Sequence, residues 1–221
     1  MSAVPLMRAR YLNSLANWLD EQGARADSVL ADLGAPSAIR EDDDRIIPIR
    51  LFEQFVSRGL RRAGTLQWGY RAASLNLGSY GAFGQRVIGG ANLFASMQAF
   101  CKLANSEYSE AAFFLRETAE CVWFCRGPIA GDPTVAGQTE LYVASMMIDT
   151  IRISAGPSWI PRAVRLQMAD CTSVRSIPAL VDSELYFGCG TLAIAVPKAL
   201  IAGSIYRRAR EEAGGPVDAA T

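Results

Sequence analysis

Arginine side chains have the clearest capacity for ligand chemistry in this sequence. Lys102 and Lys198 are the only lysines among the 22 basic residues, so almost every positive charge is a guanidinium. A guanidinium forms planar, two-pronged hydrogen bonds to carboxylate or phosphate groups. The arginines that recur in the first half of the chain and are predicted to face a cleft are Arg58, Arg62, Arg71 and Arg86. Compositional drift in an alanine-rich chain is the alternative explanation.

Two short patterns suggest an anionic ligand. "RGLRR" contains Arg58-x-x-x-Arg62, and "DPTVAG" contains Asp132-x-Thr134-x-x-Gly137. Each resembles half of the PilZ-type signature for cyclic di-GMP, although threonine replaces serine and the second half lies far downstream. In that interpretation the arginines bind phosphate or stack on guanine, and Asp132 or Thr134 contacts a base or sugar edge. The alternative for Arg58 and Arg62 is a solvated helix end, where cations are favoured.

An apolar ligand would require different residues. In that case the expected contacts come from Trp68, Phe83 and Phe94, packed against strands of the second half.

The absence of histidine argues against catalysis. It excludes Ser-His-Asp and Cys-His systems, histidine metal triads and the HExxH zinc motif. No Gly-Lys-Ser/Thr phosphate loop occurs, and "GCGTLA" at residues 188–193 lacks the helix that a dinucleotide fold needs after it. We therefore expect neither an enzyme nor a cofactor or metal site.

Composition predicts an ordinary cytoplasmic protein. Acidic and basic residues balance at 22 each, and no apolar run approaches the roughly twenty residues that span a bilayer. The five cysteines are odd in number and lack C-x-x-C spacing, which is typical of free thiols in a reducing compartment.

The first half of the chain is predicted to be helical. Apolar spacing predicts a helix over residues 6–22, a short helix with Asp27 as its N-cap, and a helix that starts at Pro48. The glycine-rich stretch 79–91 is predicted to contain a short helix from about residue 82. Asn92 is predicted to cap the helix that follows.

The second half is predicted to be mixed. "SEAAFFLRE" and "CVWFCRG" form a predicted hairpin, "GDPTVAG" a loop, and residues 138–155 a helix. Further strands are predicted at "AVRLQMA", "ELYFGCG" and "TLAIAVP". We expect a helical subdomain over 1–108, a mixed sensor subdomain over 109–206, and a linker or tail over 207–221.

Several segments occur in the order seen in one known family. They are "RARYLNSLANWLDEQGARADSVLADLG", "DRIIPIRLFEQFVSRGLRRAGTLQWGYRAASL", "SYGAFGQRVIGGANLFASMQAFCKLANSEYSEAAFFL", "SWIPRAVRLQM" and "YFGCG…LAIAVPKALI". Together, over residues 8–202, they resemble the ligand-sensing, arabinose-binding-type N-terminal domain of AraC-family transcription regulators. The sequence departs from the family at "CTSVRSIPALVDSE", which is unusually apolar, and at "FGCG", which lacks a proline.

The resemblance implies an α+β fold, with a helical subdomain packed against a small, cupin-like β-barrel or sheet. It also implies a small-molecule sensor that often aids dimerisation and signals to a C-terminal DNA-binding domain, which is missing from this chain. With the arginines, it slightly favours an anionic effector such as cyclic di-GMP. An apolar or carboxylate metabolite, or a ligand-free dimerisation module, remains the alternative.

Overall fold

The computed structural model describes residues 4–63, 69–70, 77–129 and 131–201. Eight helices and seven strands in two sheets lie wholly within these ranges, so the fold is a mixed α+β arrangement. None of the helices in this part of the chain is both long and apolar enough to cross a membrane.

The first half consists mainly of helices. Strand β1 (Leu6–Arg8) pairs antiparallel with β2 (Ile46–Pro48), and Met7 lies opposite Ile47. The helices are α1 (Arg10–Glu21), α2 (Ala26–Asp32), α3 (Ile49–Ala63), α4 (Gly81–Ile88) and α5 (Leu93–Glu107). Short 3-10 turns cover Ser37–Glu41 and Leu77–Ser79.

Two predicted helix starts are confirmed. Helix α3 begins directly after Pro48, and Asn92 caps α5 by accepting a 2.9 Å hydrogen bond from the backbone N–H of Ala95. Such a bond satisfies one of the amides that a helix start leaves without an internal partner.

Two other predictions in this half are wrong. The helix predicted from residue 6 starts at Arg10, because Leu6–Arg8 pairs with β2 and buries Met7 there. Asp27 does not cap α2. The carboxylate of Asp20 accepts the N–H of Ala26 at 2.7 Å, so the helix starts before Asp27.

Glycines in the 79–91 stretch permit close packing. Gly81 has a φ of +57°, a conformation that residues with a Cβ rarely adopt. A Cβ at Gly84 would lie 1.9 Å from the carbonyl oxygen of Leu77. Helix α4 can therefore lie directly on the 3-10 turn that precedes it.

The second half carries a five-stranded sheet. Strands β3 (Phe113–Glu117) and β4 (Cys121–Arg126) form the predicted hairpin. The remaining elements are α6 (Pro133–Ala155), β5 (Ala163–Arg165), α7 (Thr172–Arg175), β6 (Glu184–Tyr186), β7 (Leu192–Pro197) and α8 (Lys198–Ile201).

The sheet order is β3-β4-β7-β5-β6, with β5 and β6 parallel and the other neighbours antiparallel. Strands β3 and β6 are its two edges and do not pair with each other. The described strands therefore form an open sheet, and the cupin-like barrel is not confirmed.

Helix α6 starts earlier than predicted. The segment "GDPTVAG" was expected to be a loop, but Pro133 is the first residue of α6. The carboxylate of Asp132 accepts the N–H groups of Thr134 at 2.9 Å and Val135 at 3.2 Å. Proline suits the first helical position because its missing N–H would have no partner there.

Phe100 joins the helices to the sheet. From α5, its ring makes edge-on contacts with Phe83 of α4 at 5.1 Å, Phe113 of β3 at 5.0 Å and Phe124 of β4 at 5.2 Å between centroids. One continuous buried core contains residues of both predicted subdomains. The division at residues 108 and 109 stays a prediction.

We expect Phe100→Ala to lower the free energy of unfolding by about 3–5 kcal/mol, because it leaves a void and removes three ring contacts. Phe94→Ala is the matched control on the same helix, since Phe94 is 37% exposed. Urea unfolding followed by circular dichroism measures both. Equal losses in the two variants would contradict the central place given to Phe100.

Candidate functional site

A partly enclosed cavity of about 60 Å³ lies between the helices and the β3–β4 hairpin. Helices α1, α3, α4, α5 and α6 and both strands of the hairpin contribute to its wall. The apolar part of that wall includes Phe52, Phe83, Phe100, Phe113 and Met146. Buried aromatic walls with few polar groups are typical of small-molecule sites.

Arg126 is the unexpected member of this wall. Val122 and Phe124 precede it on the same face of β4, which packs against the helices, and Arg126 itself is only 4% exposed. Trp123 points to the opposite face, where Arg165 of β5 lies 4.4 Å from the centre of its ring. Strand alternation thus places the Arg126 guanidinium where an apolar residue is expected.

The Arg126 guanidinium has few interactions. Among the described residues, its Nε and Nη1 atoms have no hydrogen-bond partner. The rings of Tyr108 and Phe113 lie 5.8 Å and 5.9 Å from its Cζ atom. Burial lowers the pKa of Arg126, while the charges of Tyr108 and Glu140 oppose that fall.

Glu140 is a buried carboxylate whose negative charge raises the pKa of Arg126. Its oxygens accept the backbone N–H groups of Gln167 at 2.7 Å and Met168 at 3.0 Å, which holds α6 to the segment after β5. Burial raises the pKa of Glu140, while these bonds and the Arg126 charge oppose that rise. No ion pair joins Glu140 to Arg126 in the described structure.

Glu107 lies at another part of the wall and already has a counter-ion. Its Oε2 is 3.3 Å from the Nε of Arg10 and accepts a 3.3 Å hydrogen bond from the hydroxyl of Tyr11. Arg10 also contacts the carboxylate of Asp44. Burial raises the pKa of Glu107, and the positive charge of Arg10 is the main opposing influence.

Phenol groups complete the polar part of the wall. The hydroxyls of Tyr80 and Tyr142 lie 2.7 Å apart, and Tyr142 lines the cavity. Burial raises the pKa of Tyr142 to about 12, so the phenol is neutral at physiological pH. The tyrosines can exchange hydrogen bonds with a ligand but cannot supply a negative charge.

Arg58 and Arg62, two of the predicted ligand residues, lie together at the surface. Arg58 donates to the backbone oxygen of Asp32, and Arg62 pairs with the Asp32 carboxylate. Both border an open groove of about 440 Å³, and Arg58 also borders a neighbouring groove with Asp132.

The other predicted ligand residues are not gathered at this groove. Asp132 and the backbone of Thr134 form the cap of α6, and Arg86 is exposed on α4. Arg71 lies outside the described residues. The assignment of these residues to a ligand site stays a prediction.

The residues predicted to bind an apolar ligand are not gathered at one site either. Phe83 lines the internal cavity, Phe94 borders a separate surface groove, and Trp68 lies outside the described residues.

Sequence reasoning missed Arg126, although a signal was present. In "VWFCR", the alternate residues are valine, phenylalanine and arginine, which places the charge on the core face of the predicted strand.

The described residues hold no cluster of three histidine, cysteine or acidic side chains suited to a metal ion.

Comparison with protein families identifies the chain. The model of the arabinose-binding N-terminal domain of AraC transcription regulators matches residues 23–203, well over half of the sequence. The chain belongs to this family.

Comparison with solved structures supports the fold of this AraC-type domain. The crystal structure of the transcriptional regulator CdpR from Pseudomonas aeruginosa is similar with a TM-score of 0.56 at 13% identity. The match covers 82% of this chain and 56% of that one, so the AraC-type domain spans little more than half of the regulator it resembles. No curated protein sequence matches the chain.

The raised pKa of Glu107 predicts a pH effect on the stability of this AraC-type domain. The folded state binds the proton before the unfolded state does, so stability rises as pH falls towards the ordinary glutamate range. Glu107→Gln mimics the protonated form and lacks this response. We therefore expect wild-type stability, relative to the variant, to increase between about pH 7 and pH 5.

Urea unfolding of both proteins at several pH values measures the difference. A difference that stayed constant, or that fell as the solution was acidified, would show that the pairing with Arg10 outweighs burial.

Proposed function

We propose that this AraC-type domain senses a small organic molecule that binds in the internal cavity. The observation that carries the proposal is the partly enclosed aromatic cavity, whose wall also holds a few polar groups. Membership of a regulator family supplies the context in which such a cavity is useful. The proposed role is binding without catalysis.

The cavity is suited to coupling binding with a change in structure. Its wall draws on five helices and one hairpin, so a ligand contacts elements that are distant in sequence. A ligand that fits one arrangement of these elements better than another shifts the equilibrium between them. We propose that the shift is passed to a DNA-binding domain in the full-length regulator.

The size of the cavity favours a small effector. Pockets for drug-sized ligands are roughly 300–1,000 Å³, whereas this cavity has about 60 Å³. A cyclic dinucleotide does not fit such a space. The apolar or carboxylate metabolite that the sequence left as an alternative therefore becomes the leading candidate for the cavity.

Cyclic di-GMP remains a second candidate, at the surface. The groove beside Asp32 is bordered by Arg58, Arg61 and Arg62, and its volume of about 440 Å³ suits a larger anion. A phosphate there would have to compete with the Asp32 carboxylate for Arg62. The observation that favours this candidate is the closeness of three guanidinium groups.

Self-association is a further proposal that follows from the family. A homodimer whose stability depends on the effector would couple sensing to DNA binding. Sedimentation velocity with and without a stabilising ligand measures it, and a monomer under both conditions would oppose it.

Filling the cavity tests the principal proposal. Ala104 lines the cavity and is 4% exposed, so Ala104→Leu should occupy the space that an effector needs. In wild type, a specific ligand should raise the melting temperature with concentration, equivalent to about 2.7 kcal/mol at a hundredfold excess over Kd. We expect the variant to lose that response.

Ala99→Leu is the control, because Ala99 lies on the same helix but borders a surface groove. It should respond to the ligand as wild type does. An unchanged response in Ala104→Leu would show that the ligand binds elsewhere.

Replacement of Arg58 and Arg62 by alanine tests the surface candidate. Isothermal titration should show cyclic di-GMP binding to wild type that the double variant loses, while circular dichroism remains unchanged. Arg50→Ala is the control, because Arg50 is exposed on the same helix and does not border the groove. Absence of binding to wild type, or equal affinity in the double variant, would remove this candidate.

A further inference from the structure

We infer that the effector carries a carboxylate group and that Arg126 binds it. This inference rests on the proposed function, because it assigns the chemical class of the ligand in the same cavity. Arg126 lies in the cavity wall, is 4% exposed, and has two guanidinium nitrogens without a hydrogen-bond partner among the described residues.

An unpaired charge in this position is unfavourable in the free protein. Burial of a charge without a counter-ion or hydrogen bonds is among the costliest arrangements in a protein interior. The rings of Tyr108 and Phe113 lie at the outer limit of cation–π distance, so they offset only part of that cost. Such a group is typical of a functional site completed by a ligand.

The described neighbours do not supply the missing negative charge. Glu107 is already paired with Arg10, and Glu140 accepts two backbone N–H groups and lies beyond ion-pair distance of Arg126. The phenol of Tyr142 is neutral, because burial raises its pKa to about 12. The counter-ion is therefore expected to come with the effector.

Charge balance favours a monoanion. One guanidinium lines the cavity, and two of its nitrogens have no hydrogen-bond partner among the described residues. A carboxylate neutralises the single positive charge, whereas a doubly charged phosphate would leave an excess negative charge in an apolar site. Guanidinium–carboxylate pairs are also strong, directional hydrogen-bonded contacts.

The rest of the wall defines the body of this acid. Phe52, Phe83, Phe100 and Met146 provide apolar contacts, and the volume of about 60 Å³ admits few carbon atoms. The structure therefore assigns a compact aliphatic monocarboxylate as the effector class.

The test compares acids with matched neutral amides. Acetate, propionate and isobutyrate, each with its amide, are titrated into the full chain by thermal shift and isothermal titration. In wild type, at least one acid should bind on the order of tenfold or more tightly than its amide, as expected for hydrogen bonds to a charged group.

Two variants assign the preference to Arg126. Arg126→Met should abolish the preference for the acid while retaining a ligand-free melting temperature equal to or above that of wild type, because it removes a buried, unpaired charge. Arg126→Lys keeps the charge and should keep a weakened preference. Arg165→Met is the control, since Arg165 stacks on Trp123 and does not line the cavity.

The outcomes separate this inference from the proposed function. Acids and amides that stabilise wild type equally would overturn the role of Arg126 but leave a cavity that binds small molecules. No stabilisation by any of the six compounds would overturn both. An acid preference that persists in Arg126→Met, or that Arg165→Met abolishes, would overturn the assignment to Arg126. Should Arg126→Met fail to fold, an acid preference in Arg126→Lys that is as strong as in wild type would overturn it.

Discussion

The edge-on packing of Phe100 against three other phenylalanine rings is the contact on which the rest of the structure depends. It joins α5 to α4 and to both strands of the hairpin, so helices and sheet are positioned through one side chain. The cavity lies beside this cluster, and Phe100 belongs to its wall.

The two carboxylates near the cavity are held by contacts with other parts of the protein. Glu140 is held by the backbone after β5, and Glu107 by Arg10. These contacts keep α6 and α5 in place without using the Arg126 guanidinium. Among the described residues that line the cavity, Arg126 is the one whose buried nitrogens lack a hydrogen-bond partner.

Local signals predicted much of the fold. The cap at Asn92, the start of α3 after Pro48 and the β3–β4 hairpin follow from neighbouring residues alone. The strand Leu6–Arg8 was missed because three residues are too few to show the alternation of apolar and polar side chains that marks a strand. This strand is defined by its pairing with β2. The Gly-Asp-Pro sequence before α6 suits both a loop and a helix start, so the boundary was misplaced. The site was harder, since the burial of Arg126 depends on helices far away in sequence.

The cavity also bears on how the domain responds to pressure. Unfolding eliminates internal void space, so the unfolded state occupies less volume and is favoured when pressure rises. A molecule that occupies the cavity fills part of this void, so the volume difference between the folded and unfolded states becomes smaller. The liganded domain would therefore be less compressible as well as more stable. The difference in pressure sensitivity between the ligand-free and the ligand-bound domain then reports how much of the void the effector fills.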